Sequence, residues 1–165
     1  MTSAAALSSI YTLDSSALVD WHVRFYPTDI FRTLVTSVES LIAEERFLAP
    51  MLVREEVEKI GTVELAEWMR RQSDMIVPMV DVLTHAQAIQ RQFPGLLDPK
   101  AECEEADAYV IALARIRDGI VITGETPAAE KRRPRRTHYI PDVCRELGIP
   151  CINFLGLMRR EGWRF

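Results

Sequence analysis

The sequence predicts an α/β fold in which a central parallel β-sheet is flanked by α-helices, giving a three-layer α/β/α arrangement. Short apolar segments alternate along the chain with longer segments of helical periodicity, which is typical of parallel sheets. The clearest strand is the run IVIT at 120–123, whose unbroken apolar character indicates burial on both faces. The length of 165 residues suits one domain. We therefore predict a single domain over 1–165, with 1–8 as a disordered tail.

The first half of the chain predicts three strands and four helices. Ile30, Leu34 and Val38 recur at helical spacing. Gly61 separates two later helices, and Pro78 limits its strand to the edge of the sheet. In chain order, we predict a strand at 9–13, helices at 15–25 and 28–45, a strand at 47–49 stopped by Pro50, helices at 51–60 and 63–75, and a strand at 76–79.

The second half begins with helical periodicity and ends on two further strands. Its strongest amphipathic segment stops at Asp118 and Gly119, directly before IVIT. We predict helices at 81–93 and 101–117, a strand at 120–123, a polar basic loop at 124–138, a helix at 141–147, a strand at 151–154 and a closing helical turn.

Composition and charge exclude several classes of protein. The chain has 20 basic and 24 acidic side chains, a net charge of −4, so a polyanion site must be a local patch. Three cysteines without a CxxC pair argue against a disulfide framework or a zinc ribbon and favour a reducing compartment. The start of the chain does not resemble a signal peptide, and no apolar run approaches a membrane span of about 18 residues. We expect a cytoplasmic protein without a membrane span.

Acidic side chains follow two of the predicted strands. Asp14 ends the first strand, and Glu125 follows Thr123 at the end of IVIT. Because functional crevices of open α/β sheets lie at the carboxyl ends of the strands, we expect these two carboxylates to meet at one edge. Position alone leaves a second interpretation of Asp14 open, since aspartate is also a good N-cap for the following helix.

Helical periodicity selects two more acids. Glu56 lies beside the apolar stripe of its helix, and Asp107 falls inside the apolar stripe of the predicted helix at 101–117. A buried carboxylate costs several kcal/mol unless its charge is compensated. The compensating group is either an arginine or backbone N–H, or a divalent cation shared with other acids.

These acids together suggest a metal site. We hypothesise that Asp14, Glu56, Asp107 and Glu125 converge on one site and hold Mg²⁺ or Mn²⁺, which prefer hard oxygen ligands. Such a site supports phosphodiester hydrolysis without a nucleophilic side chain. Ser16 and Thr123 are placed to hydrogen-bond the carboxylates from a surrounding shell.

Four segments in this order resemble a known family. LDSSALVD at 13–20, AP followed by Val53 and Glu56 at 49–56, EADAYVIALA at 105–114 and VITGE at 121–125 resemble the PIN-domain nucleases, which include the VapC-type toxins of prokaryotic toxin–antitoxin pairs. The resemblance extends from about Ile10 to Phe154. It implies a metal-dependent ribonuclease that acts on RNA, with an antitoxin protein as partner and a homodimer as assembly. It assigns the acid roles to the four carboxylates named above and the hydroxyl roles to Ser16 and Thr123.

The chain departs from the family pattern in places. Glu125 stands where the family has an aspartate in T-x-D, and it is one methylene longer. HYIPDVCRELGIPC at 138–151, the closing GWRF and the long insert between the second and third acids resemble an uncharacterised PIN-like subfamily. Asp142 is either a further metal ligand or the cap of the helix that starts there, and we favour the cap.

One dense basic run, KRRPRR at 131–136, follows the segment TGE at 123–125 after five intervening residues. It predicts an arm that neutralises RNA phosphates, or else a solvated loop. The candidate RNA-binding residues are Lys131, Arg132, Arg133, Arg135 and Arg136.

Two other functions stay open at this point. The first is a catalytically silent PIN-like module that binds RNA or protein. The second, which we rank lower, is a haloacid-dehalogenase-type phosphatase. That mechanism needs a second acid two residues after Asp14, where this chain has Ser16.

Overall fold

A computed structural model describes residues 9–165, and the predicted disordered tail at 1–8 lies outside the described residues. Five strands form one sheet in the order β3-β2-β1-β4-β5, and each neighbouring pair is parallel. The predicted parallel sheet is confirmed. The strands are β1 (Tyr11–Leu13), β2 (Phe47–Pro50), β3 (Ile76–Val77), β4 (Ile120–Ile122) and β5 (Cys151–Ile152).

Eight α-helices flank this sheet in the described part of the chain, which confirms the predicted three-layer α/β/α class. Helix α6 packs against β1, β2 and β4. Within residues 9–165, no helix combines the length and apolar character that a membrane span requires. The helices are α1 (Ser15–Val19), α2 (Arg32–Ala43), α3 (Met51–Ile60), α4 (Val63–Arg71), α5 (Leu83–Gln92), α6 (Asp107–Arg117), α7 (Ile140–Leu147) and α8 (Phe154–Glu161).

Strand β1 lies at the centre of the sheet, between β2 and β4. Its side chains are fully buried, as expected for a strand covered on both faces. Leu13 pairs with Ile122, the last residue of β4. The backbone N–H of Asp14 then donates to the carbonyl of Ile122 at 3.0 Å. This register sets the residues that follow β1 and β4 side by side at the carboxyl edge.

The predicted helix at 101–117 is wrong in its first turn and a half. Helix α6 begins at Asp107, and Cys103, expected in an apolar stripe, is exposed. Side chains hold the backbone before it in an irregular path: Glu56 accepts from the N–H of Ala106, and Glu105 accepts from the N–H of Asp98. These bonds compete with helical ones. Asp107 is nevertheless buried, as predicted, at the start of α6.

Other boundaries differ less. The predicted helix at 15–25 is divided into α1 and a π-helical turn over Asp20–Phe25. The predicted helix at 63–75 ends at Arg71, before a 3₁₀ turn at Ser73–Met75. Pro50, which was predicted to stop β2, is the last residue of that strand and pairs with Val77. Proline lacks the backbone N–H donor but keeps its carbonyl acceptor, so it can end a strand. Strand β3 lies at the edge, as Pro78 predicted.

A buried ionic network ties the last helix to the sheet. The guanidinium of Arg46 contacts Glu161 at the end of α8, and the hydroxyl of Tyr11 donates to the same carboxylate. Arg46 also pairs with Glu44 at 2.8 Å. The Glu161 side chain is 7% exposed, whereas that of Glu44 is 54% exposed. The carboxylates of Glu161 and Glu44 therefore differ in burial.

We expect the substitution Glu161→Ala to lower the free energy of unfolding by about 3 kcal/mol, because it deprives a buried guanidinium of its buried partner. Glu44→Ala is the matched control and should cost less than about 1 kcal/mol, since that carboxylate is solvated. Urea unfolding of both variants tests this. Equal losses of unfolding free energy in the two variants would show that the burial of the Arg46–Glu161 pair does not add to its contribution to stability.

Candidate active site

Asp14 is fixed by three hydrogen bonds at the carboxyl end of β1. Its Oδ1 accepts from the N–H of Ser15 at 2.8 Å, so it is the N-cap of α1. Its Oδ2 accepts from the hydroxyls of Ser16 at 2.5 Å and Thr123 at 2.9 Å. Asp14 is 3% exposed. Asp14 is therefore the N-cap of α1. The hydroxyls of Ser16 and Thr123, which were predicted to hydrogen-bond the carboxylates, both donate to Asp14.

The segment after β4 is pinned to the first helix. The N–H of Gly124 donates to Ser16 Oγ at 2.9 Å, and the N–H of Glu125 donates to Thr123 Oγ1 at 3.1 Å. A Cβ atom on Gly124 would lie 2.2 Å from Asp20 Oδ2. A larger residue at this position would therefore require the Asp20 side chain to shift. Asp20 is an acid beside the site that the sequence analysis did not select.

Arg136 bridges the carboxylates of Asp107 and Glu125. Its Nη1 lies 2.6 Å from Asp107 Oδ2 and its Nη2 lies 3.3 Å from Glu125 Oε1. Nη1 also donates to the carbonyl of Leu96 at 2.9 Å, and the guanidinium lies 4.6 Å from the centre of the Tyr139 ring. The Arg136 side chain is only 13% exposed. It is a counter-ion inside the site.

Glu56 joins α1 to the start of α6. One carboxylate oxygen accepts from the Ser15 hydroxyl at 2.8 Å and the other accepts from the N–H of Ala106 at 3.0 Å. Glu56 is partly buried while Glu55 and Glu58 are exposed, as the helical periodicity predicted. Both of its oxygens therefore already have partners in the protein.

Burial raises the pKa of all four acids. Burial raises the pKa of Asp14, and burial raises that of Asp107 well above its ordinary range, with the charges of Glu125 and Asp14 adding to the effect. Burial followed by the charge of Asp14 raises the pKa of Glu125 to about 7. The charge of Asp14 also contributes to the raised pKa of Glu56, after burial. Thr123, two residues before Glu125, donates to Asp14, and Arg136 connects Glu125 to Asp107, whereas Glu56 contacts Ser15 and Ala106 rather than another acid.

The donor set suits a hard divalent cation, but its present arrangement is closed by Arg136. Carboxylate and hydroxyl oxygens surround Asp14, and these are the donors that Mg²⁺ and Mn²⁺ prefer. Across residues 9–165, no group of three or more His, Cys, Asp or Glu side chains is spaced to hold a metal ion. The guanidinium of Arg136 occupies the space between Asp107 and Glu125. The donor chemistry therefore suits a divalent cation, whereas the arrangement of these side chains around Arg136 does not hold one.

Asp142 is a structural cap. Its Oδ2 accepts from the backbone N–H groups of Ala128 and Tyr139, both at 2.9 Å, and its Oδ1 pairs with Arg145 at 3.3 Å. These bonds close the start of α7 and anchor the loop that precedes it. The cap that we favoured for Asp142 is confirmed.

The basic run divides into outward and inward side chains. Arg132, Arg133 and Arg135 are exposed, as expected for residues that meet RNA phosphates. Lys131 is partly buried, with its Nζ 4.3 Å from the centre of the Tyr139 ring. The expected solvent-facing position is wrong for Arg136, because burial against two carboxylates outweighs its solvation.

Two groups near the acids were missed by sequence reasoning. Arg136 was assigned only to the solvent-facing arm, and its place in a basic run after TGE was the one available signal. Cys151, on β5, was not selected as a candidate site residue. Its hydrogen bond with Cys144 lowers its pKa, while burial and the charges of Asp14 and Glu125 oppose this effect. A thiol therefore lies near the oxygen donors.

One family model matches most of the chain. It is described as a domain of unknown function (DUF4411), and the match covers residues 11–165. No curated protein matches the sequence.

The raised pKa of Glu125 predicts a pH dependence of stability. The fold disfavours the ionised form of Glu125, so neutral Glu125 contributes to the stability of the folded protein. This contribution is fully present below the ordinary pKa of 4.5 and is lost as the pH rises through about 7. In chelator, we expect the free energy of unfolding to fall by up to about 3 kcal/mol between about pH 5 and pH 8. Glu125→Gln cannot ionise and should show a shallower decline. Identical pH profiles for the two proteins would contradict the assignment.

Proposed function

The chain belongs to the DUF4411 family, and we propose that it is a metal-dependent endoribonuclease that hydrolyses RNA phosphodiester bonds. The observation that supports this proposal is that Arg136 bridges the carboxylates of Asp107 and Glu125, while Thr123, two residues before Glu125, donates to Asp14. The charges of these acids repel one another in a buried place, and a shared cation would relieve that repulsion.

Asp14, Asp107 and Glu125 are the residues that would hold Mg²⁺ or Mn²⁺, with Glu56 beside them. The cation would supply polarisation of the phosphate and a lowered pKa for the attacking water. The chain's own hydroxyls have a separate task. Ser16 and Thr123 fix the orientation of Asp14 through its Oδ2, as supporting residues do around metal ligands.

RNA is the substrate class that the surrounding charge favours. The chain is acidic overall, yet Arg132, Arg133 and Arg135 are exposed in the loop that also delivers Arg136 to the carboxylates. Arg135 and Lys100 line one surface cavity. Phosphates that follow these cations would be led toward Glu125 and Asp107, since Arg136 connects the two places.

The proposal includes a biological role that rests on the PIN-domain resemblance. We propose a cytoplasmic toxin that is neutralised by an antitoxin protein and that forms a homodimer. A genomic neighbour that encodes a small protein with a DNA-binding half would support this role.

A catalytically silent RNA- or protein-binding module is the second candidate. The observation that favours it is Arg136, which neutralises Asp107 and Glu125 without a metal ion. Glu56 is likewise satisfied by the protein. A silent module would keep its RNA affinity when Asp14 or Asp107 becomes asparagine, and it would cleave nothing.

We expect Asp14→Asn and Asp107→Asn each to reduce Mn²⁺-dependent cleavage of single-stranded RNA at least about a hundredfold, because even groups that only support a metal ligand contribute 10- to 100-fold. Glu130→Gln, an exposed acid in the basic loop, is the matched control and should cleave normally. Cleavage that survives in chelator, or in both asparagine variants, would overturn metal-dependent hydrolysis. Wild-type protein that binds RNA without cutting it would favour the silent module.

Replacing Arg132, Arg133 and Arg135 by glutamine should weaken RNA binding and flatten its salt dependence, since each phosphate contact contributes about 0.7 to the slope for a single strand. The measurement is fluorescence anisotropy over a range of KCl concentrations. The control replaces three exposed arginines elsewhere, Arg91, Arg115 and Arg117. If both triple variants lose the same affinity, the basic run acts only through net charge.

A further inference from the structure

We propose that Arg136 and the divalent cation exclude each other from the carboxylates of Asp107 and Glu125, so that the guanidinium becomes free to bind a substrate phosphate when the cation binds. This inference rests on the proposed function and adds to it. It identifies Arg136 as a phosphate-binding residue whose availability depends on the metal.

Arg136 contacts the carboxylates of Asp107 and Glu125 with two different nitrogens. Nη1 lies 2.6 Å from Asp107 Oδ2, and Nη2 lies 3.3 Å from Glu125 Oε1. Glu125 Oε2 accepts the backbone N–H of Ile140 at 3.1 Å. Both carboxylates thus turn one oxygen to the same guanidinium, and a cation bound by both side chains would lie close to that group. The two positive groups therefore compete for the same carboxylates.

The positive charges of the guanidinium and of a divalent ion oppose their binding side by side. Two cations that share a buried carboxylate pair repel each other strongly, because little solvent separates them. Arg136 and Asp107 are each only 13% exposed. A divalent ion satisfies the carboxylates of Asp14, Asp107 and Glu125 more completely than one guanidinium, so its binding expels Arg136 rather than adding to it.

The Arg136 side chain can turn from the carboxylates toward solvent. It belongs to the basic loop, where its neighbours Arg133 and Arg135 are already exposed. Its other contacts are an ion pair with Glu105 at 3.8 Å, the carbonyl of Leu96 and the face of the Tyr139 ring. A guanidinium that leaves the carboxylates finds an equivalent bidentate partner in a phosphate. The released side chain thus joins the cations that meet RNA.

Binding of the cation and binding of a phosphate are then coupled. A phosphate that captures Arg136 removes the competitor from the acids, and by linkage the cation raises the affinity for the phosphate equally. The protein would take up its metal more tightly with RNA present than without it.

The test is Mn²⁺ affinity in the absence of RNA, measured by isothermal titration calorimetry and by the electron paramagnetic resonance signal of free Mn²⁺. We expect Arg136→Gln to bind Mn²⁺ at least about tenfold more tightly than wild type, because it removes the competing charge. Arg136→Lys keeps the positive charge but loses the bidentate geometry of the guanidinium. Its affinity for Mn²⁺ should therefore lie between those of wild type and Arg136→Gln. The lysine variant also guards against misfolding of the glutamine variant. Arg91→Gln, an exposed arginine on α5, should match wild type.

The outcomes separate this inference from the proposed function. If wild type binds Mn²⁺ and Arg136→Gln binds it equally or more weakly, Arg136 supports the site and mutual exclusion is wrong. If neither protein binds Mn²⁺, metal-dependent hydrolysis itself fails. A wild-type affinity that rises when a single-stranded DNA oligonucleotide is added, and that does not rise in Arg136→Gln, would establish the coupling.

Discussion

The carboxylates of Asp14, Asp107 and Glu125 are held together in a buried place although their charges repel one another. Asp14 is fixed by a backbone amide and two hydroxyls, and Arg136 supplies the positive charge that the other two acids share. Burial makes each of these contacts stronger than it would be in water and makes any uncompensated charge costly. The site therefore depends on a positive group at its centre, whether that group is a guanidinium or a metal ion.

The sheet topology explains why distant acids meet. Because β1 lies between β2 and β4, the residues that follow β1 and β4 are neighbours, and Glu56 reaches them from the helix that follows β2. Two irregular segments complete the site from outside the sheet. One is the stretch before α6, held by Glu56 and Glu105. The other is the basic loop, which Asp142 anchors at both ends.

The sequence was enough to predict the parallel sheet, the edge position of β3 and the burial of Asp107, because strand ends and helical periodicity are local patterns. It was not enough to place the start of α6, since the bonds from Glu56 and Glu105 that disrupt the first turn are tertiary. Arg136 shows the same limit. A run of basic residues indicates solvent exposure on average, and only the folded chain shows which one turns inward.

The most direct test is a crystal structure of the protein grown with Mn²⁺, in which anomalous scattering locates the ion. The account predicts one strong peak at about 2 Å from carboxylate oxygens of Asp14, Asp107 and Glu125, with the guanidinium of Arg136 turned away from them. Crystals at saturating Mn²⁺ that show no peak there, with Arg136 still bridging Asp107 and Glu125, would contradict it.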